Sequence, residues 1–168
     1  MISIEPYLLE KKIGNGNFGQ VFLTSKKNSD LIFATKKIEK LKVEKGSSKT
    51  FFLNEIDVLK TCDHENIIKL YEIKSSKNNY YMIMEYLNGG NLLEVLKRYA
   101  TLNDDKPFPE IYVQHILRNI AKGIYYLHKN DIIHRDLKLE NILFKFENKE
   151  DKENLNILKS QIKIIDFG

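Results

Sequence analysis

One stretch of this chain gathers the residue types that phosphate chemistry needs. His134-Arg135-Asp136-Leu137-Lys138-Leu139-Glu140-Asn141 sets a carboxylate, an ammonium and an amide side by side, and a second carboxylate follows in Ile164-Ile165-Asp166-Phe167-Gly168. Ile162, Ile164 and Ile165 read as a buried strand that delivers Asp166 at its end. Asp136, Asn141 and Asp166 are oxygen donors that could meet at one place, and such hard ligands with room for water suit Mg2+ carrying a nucleotide phosphate. Lys138 adds a cation beside Asp136, useful where charge grows on a moving phosphoryl group.

A second group lies upstream. Gly14-Asn15-Gly16-Asn17-Phe18-Gly19-Gln20-Val21 has three glycines spaced so that backbone can turn tightly and approach phosphate oxygens with no Cβ in the way. Val21-Phe22-Leu23 follows and favours a strand, so the spacing predicts a strand–loop–strand flap; a glycine-rich hairpin with no ligand is the plainer alternative. In Phe33-Ala34-Thr35-Lys36, strand alternation puts Ala34 and Lys36 on one face and Lys37 on the other. A small residue beside an ammonium suits a flat ring next to a phosphate. Within Lys49–Cys62, Phe52, Glu55, Ile56 and Leu59 share one helical face. Glu55 then sits on an apolar stripe, where an unpaired carboxylate is costly. Lys36 is the natural cation for it, unless Glu55 only borders the stripe in water.

The elements that must position these residues are mostly strands up to about Tyr86, mostly helix from Asn91 to Lys129, and strands again after Ile132. This segregation predicts an α+β fold in two parts. Strands are expected at Tyr7–Ile13, Val21–Thr24, Leu31–Ile38, Ile67–Ile73 and Tyr80–Tyr86. Asn88-Gly89-Gly90 signals a turn, and Asn91 can cap a helix over Leu92–Ala100. Thr101–Pro109 reads as a polar loop. Val113, Ile116, Leu117, Ile120, Ile124 and Leu127 form one apolar stripe on a helix from Glu110 to about Lys129. Glu147–Lys159 is polar, with three lysines against four acids, and is expected to be an exposed, mobile excursion between two strands.

Composition narrows the class. With 168 residues, 30 % charged and 42 % hydrophobic, the chain is globular protein and not a disordered tail. The lone Cys62 cannot form an internal disulfide. Met1–Pro6 has no signal-peptide character, and no apolar run approaches the roughly 18 residues of a membrane helix. The expectation is therefore a cytoplasmic or nuclear protein with no membrane partner. The net charge of +4 is matched by Lys36 to Lys49 alone, with six Lys and two Glu. No nucleic-acid motif accompanies that basic patch, so no nucleic-acid partner is expected. His64, His115 and His128 show no metal-ligand spacing with one another or with Cys62. The Tyr80-Tyr81 and Tyr125-Tyr126 pairs and Phe51-Phe52 read as packing residues.

Taken in order, Gly14-x-Gly16-x-x-Gly19-x-Val21, Ala34-x-Lys36, Glu55, His134-Arg135-Asp136 to Asn141, and Asp166-Phe167-Gly168 resemble the signatures of a eukaryotic-type protein kinase domain. The resemblance covers nearly the whole chain. Lys138 after Asp136 resembles the serine/threonine branch. The implied fold is α+β and protein-kinase-like. A small β-rich lobe with one regulatory helix spans 1–87, and the first part of the helical large lobe spans 88–168, with a polar insertion at about 147–159.

The implied cofactors are ATP and Mg2+, and the implied partner is a protein substrate with a Ser or Thr hydroxyl. The glycine flap would cover the phosphates. Lys36, held by Glu55, would grip them. Asp136 would orient the substrate hydroxyl and accept its proton, with Lys138 beside it. Asn141 and Asp166 would hold the metal. Ile13, Val21, Ala34 and Leu143 would enclose the adenine, Met84 would act as gatekeeper, and Glu85-Tyr86-Leu87 would be the hinge. Leu59, Leu70, His134 and Phe167 match the family's stacked apolar spine.

The sequence departs from the family in four places. Asn91 replaces an acid common near the ribose, and Glu65 replaces a common proline. Asn141 and Asp166 stand 25 positions apart, wider than usual, with Glu147–Lys159 supplying the excess. The sequence stops at Gly168, before the activation segment and the helices that floor the larger lobe. On that basis Arg135 is expected to lack a phosphate partner, and the apolar face of Glu110–Lys129 is expected to be exposed and open to a protein partner. The sequence therefore supports two functions, a protein serine/threonine kinase or its front part, and an impaired kinase-like module that binds nucleotide or a partner.

Overall fold

The computed structural model of the chain describes residues 2–16, 19–43 and 47–166. The chain forms two compact units. One comprises the residues up to Thr61 together with Lys69–Tyr86, and the other comprises Cys62–Ile68 together with the residues from Leu87 onward.

The first unit holds an antiparallel sheet of β1 (Ile2–Ile4), β2 (Tyr7–Gly16), β3 (Gly19–Lys26), β4 (Ile32–Glu39), β5 (Leu70–Ser75) and β6 (Asn79–Glu85). Its order is β1-β2-β3-β4-β6-β5. The sheet curls. The Tyr7 hydroxyl at the start of β2 donates to Glu72 Oε2 on β5 at 2.9 Å, and the Tyr7 ring meets Phe33 edge-on. Inside the curl Tyr7, Leu9, Phe33, Tyr81 and Ile83 form a core, with Ile4 and Phe22 against it. The other sheet face receives α2 (Ser47–Thr61) through Phe52 on Tyr80 and Glu55 on Lys36. β4 is consequently buried on both faces, which explains its near-continuous burial from Phe33 to Lys36. The expected helical face is also inside, with Phe52, Glu55, Ile56 and Leu59 all buried. A short α1 (Lys40–Val43) precedes α2.

The second unit contains α3 (Leu92–Leu102), α4 (Glu110–Lys129), the hairpin of β7 (Ile142–Lys145) with β8 (Gln161–Ile164), and α5 (Lys149–Glu153). Asn91 caps α3 as expected, in a capping box with Glu94. Ile67 and Ile68 do not extend β5. They pair with Ile164 of β8, and Asn66 donates from Nδ2 to Asn119 of α4 and to the Ile162 carbonyl. Tertiary pairing thus overrides the local strand signal of Ile67–Ile73.

Two sequence expectations hold only in part. The segment 147–159 is not simply an exposed excursion, because Asp151, Leu155 and Ile157 are buried and α5 lies within it. On α4, Ile116, Gly123 and Leu127 are buried, whereas Val113 and Leu117 stay 38 % and 58 % exposed. These two line an apolar hollow of about 550 Å³ with Leu92, Leu96 and Phe108. Among the described residues no helix is long and apolar enough to cross a membrane.

Candidate functional site

In the first unit the strand register assembles the upstream candidates. Gly14 of β2 faces Val21 of β3, and Val21 faces Lys36 of β4. Ala34, two residues before Lys36, faces Met84 of β6. Gly14, Val21 and Lys36 therefore form one cross-strand row, with Ala34 and Met84 beside it. Gly16 pairs with Gly19, and a Cβ on Gly19 would lie 1.9 Å from the Lys37 carbonyl oxygen. Only glycine fits where β3 runs that close to β4. Asn17 and Phe18 lie outside the described residues. Ile13 is 43 % exposed.

Lys36 Nζ donates to Glu55 Oε1 at 2.7 Å, with both side chains almost fully buried. Such a pair needs a close contact to offset the loss of hydration, and this one is short. Glu85 is buried too, and its Oε1 accepts from the Lys69 backbone N–H at 2.8 Å. Its side chain thereby fixes the end of β6.

In the second unit the downstream candidates form a hydrogen-bonded knot. Lys138 Nζ donates to Asp136 Oδ2 at 2.7 Å. Asn141 Nδ2 donates to the Asp136 carbonyl at 2.8 Å and to Asp136 Oδ2 at 3.1 Å. The Lys138 and Asn141 bonds hold the Asp136 carboxyl below its usual range, and the same carboxylate, aided by Glu140 and Asp166, raises the Lys138 ammonium. Asn141 is buried just before β7, and Asp166 follows the end of β8. The Ile165 N–H donates to the Asn141 carbonyl at 3.0 Å, which ties the two ends of the hairpin together.

His134 supplies a link that the apolar-spine resemblance did not convey. It is buried, its Nε2 lies 2.8 Å from the Ile165 carbonyl, and its Nδ1 accepts from the Asp136 N–H at 3.3 Å. Those partners assign the proton to Nε2. Burial lowers the His134 pKa, against the Ile165 carbonyl and the Asp136 and Asp166 charges that raise it. Arg135 and Asp166 both adopt left-handed backbone, with φ of 64° and 56°.

Leu143 bridges to Asn91, whose Oδ1 accepts from the Glu94 N–H at 2.9 Å. That oxygen is committed to capping α3. Leu87 is buried beside the same turn. Phe167 and Gly168 lie outside the described residues. The sequence marked Asn88 only as part of a turn, yet its side chain clamps the residue just after β7 by accepting from the Phe146 N–H and donating to the Phe146 carbonyl, both at 2.9 Å.

The donor set can be tested against a metal. Both Asn141 side-chain bonds run from Nδ2, so its amide oxygen is the end available as a ligand. Together with the Asp166 carboxylate it makes two hard oxygen donors. Among the described residues no cluster of three His, Cys, Asp or Glu could hold a metal ion. A sparse oxygen set fits Mg2+, which commonly takes one or two protein ligands plus phosphate and water.

The family model described as "Protein kinase domain" matches residues 7–168. The chain is 41 % identical over 165 residues to Calcium-dependent protein kinase 4 of Plasmodium falciparum (isolate 3D7), covering 98 % of this chain and 28 % of that protein. It is 36 % identical over 167 residues to Serine/threonine-protein kinase 33 of Bos taurus, covering 98 % and 32 %. It is 33 % identical over 167 residues to the Aurora kinase of Candida glabrata, covering 99 % and 42 %. The chain thus spans less than half the length of these relatives. A family match across nearly all of the chain, with the signature residues held in the geometry above, means that it belongs to the eukaryotic-type protein kinase domain family, in the serine/threonine branch.

Proposed function

We propose that this chain carries the phosphoryl-transfer machinery of an ATP- and Mg2+-dependent protein serine/threonine kinase. The observation that carries the reading is the knot of Asp136, Lys138 and Asn141, joined at 2.7 to 3.1 Å. A carboxylate held ionised beside an ammonium suits a residue that orients a hydroxyl by accepting its hydrogen bond while charge builds on a phosphoryl group.

The roles are those that the kinase family implies for the matching residues. Residues 1–87 supply the glycine flap and Lys36, whose ammonium Glu55 holds in place for the α- and β-phosphates. Val21, Ala34 and Met84 line the adenine side, with the backbone of Glu85 and Leu87 at its edge. Residues 88–168 supply Leu143 and the chemical step. Asp136 orients a Ser or Thr hydroxyl and takes its proton. The hydroxyl oxygen forms a bond to the γ-phosphorus while the bond to the β–γ bridging oxygen breaks, and ADP leaves with that electron pair. Lys138 offsets charge on the transferred group. Asn141 and Asp166 would hold Mg2+, which when bound screens the phosphate oxygens.

The test is calorimetric titration of the folded chain with ATP and ADP, with and without Mg2+, followed by assay of γ-phosphate transfer to a Ser/Thr protein substrate. Binding that strengthens with Mg2+ and a melting temperature that rises with ligand concentration support the reading. A folded chain that binds neither nucleotide overturns it.

A further inference from the structure

The connection Phe146–Ser160 closes the β7–β8 hairpin, and the proposed metal residues sit at the hairpin's opposite, open end. The hairpin is only four residue pairs long, from Ile142 with Ile164 to Lys145 with Gln161. A two-stranded ribbon of that size is marginal by itself, and the further bonds to β8, from Ile67, Ile68 and Asn66, fall at Ile162 and Ile164 and not at the turn end. A slip of one residue in its register would turn each side chain to the other face and move Asp166 relative to Asn141. A long, loose closing loop would leave that end of the ribbon free to fray.

The connection is not loose. Asp151 is buried at its centre and gathers three donors: Asn148 Nδ2 at 3.2 Å, Asn156 Nδ2 at 3.0 Å and Lys159 Nζ at 3.2 Å. Leu155 and Ile157 are buried, as are Phe144 and Phe146. Arg98 reaches over from α3, donating from Nη1 to the Lys152 carbonyl at 3.2 Å and from Nη2 to the Glu153 carbonyl at 2.9 Å. Those are the last two carbonyls of α5, and the Lys152 carbonyl also accepts from the Leu155 N–H at 3.4 Å. The knot is thus folded around Asp151 and tied to α3 by Arg98.

We propose that Phe146–Ser160 is a brace that fixes the β7–β8 register, with Asp151 and Arg98 as positioning residues for Asn141 and Asp166. This rests on the reading of that pair as the Mg2+ ligands. The brace acts through two paired strands and touches neither nucleotide nor metal.

The experiment measures binding of N-methylanthraniloyl-ADP to the full chain across a Mg2+ titration, alongside the melting temperature without ligand. Arg98→Ala and Asp151→Asn are expected to raise the Mg2+ midpoint about 3- to 10-fold, below the 10- to 100-fold typical of groups bonded directly to a metal ligand. Arg98→Lys, which keeps a donor but not the fork, should recover part of the loss. Lys149→Ala removes only an exposed pair with Glu153 and should leave the midpoint unchanged. Variants that melt earlier yet keep the wild-type midpoint overturn the brace and leave Asp151 and Arg98 as stability residues alone. A midpoint unmoved in Arg98→Ala overturns it equally, even if Asp151→Asn fails to fold. If wild-type chain binds the probe without regard to Mg2+, the metal reading itself fails, a result distinct from the other two.

Discussion

Lys36 and Glu55, 19 positions apart, meet at 2.7 Å with side chains 3 % and 5 % exposed. One stands on β4 and the other on the buried face of α2, so the bond is also a measure of how α2 is seated on the sheet. Neither charge has bulk water to fall back on.

Single substitution should therefore be costly to the fold as well as to phosphate binding. Lys36→Met or Glu55→Leu removes one partner of a buried ion pair, at about 3–5 kcal/mol. The double variant removes both charges and should regain most of that stability while nucleotide binding stays weak. Thermal melting with a double-mutant cycle reads the coupling. Additive losses in the double variant would show that the two residues do not act as a pair.

Asp136→Asn tests the chemical step. The amide keeps the size of the side chain and loses the proton-accepting charge next to Lys138. Phosphoryl transfer should fall by about 10²–10⁴-fold, with ADP affinity little changed. Turnover at the wild-type rate would remove Asp136 from the proposed mechanism.

His134 predicts a pH dependence of stability. Its pKa in the fold is lowered, chiefly by burial, from the ordinary value of 6.5. As pH falls below that value the unfolded chain takes up a proton that the folded chain resists. Stability from this group is full above the unfolded pKa and declines from there toward the lower folded pKa. The melting temperature should drop between neutral and mildly acidic pH, and His134→Gln should flatten that part of the curve. An unchanged slope in His134→Gln would place the dependence elsewhere.

The parts of this fold that could be read from the sequence are those set by local spacing. The face of Phe52, Glu55, Ile56 and Leu59 follows from helical period, and the Asn91 cap from one residue type before an apolar run. That Lys138 stands beside Asp136 was legible because the two are neighbours in sequence, whereas the bonds from the Asn141 amide nitrogen to Asp136 were not. Long-range features were not. β1 is three residues whose strand character depends on pairing with β2. Asp151 looked like one acid in a charged run, and its burial depends on Lys159, two asparagines and the fold around Leu155 and Ile157. The tie from Arg98 spans 54 positions to the Lys152 carbonyl. The His134 bond to Ile165 uses a backbone oxygen, which carries no signature of its own.

The glycines of the flap should differ in what they tolerate. Gly14 has open space, its nearest obstacle to an added Cβ being Val21 Cβ at 3.9 Å, an ordinary contact. Gly19 has none, since its Cβ would sit 1.9 Å from the Lys37 carbonyl oxygen and 2.9 Å from the Lys37 carbonyl carbon. That obstacle is backbone of β4, one residue beyond Lys36, so relief requires β3 and β4 to separate. Gly19→Ala should lose about 1–3 kcal/mol by overpacking and should also weaken phosphate binding, because the strand that moves carries Lys36. Gly14→Ala should melt close to wild type. Equal melting temperatures for the two variants would mean that β3 does not approach β4 at Gly19 as closely as described.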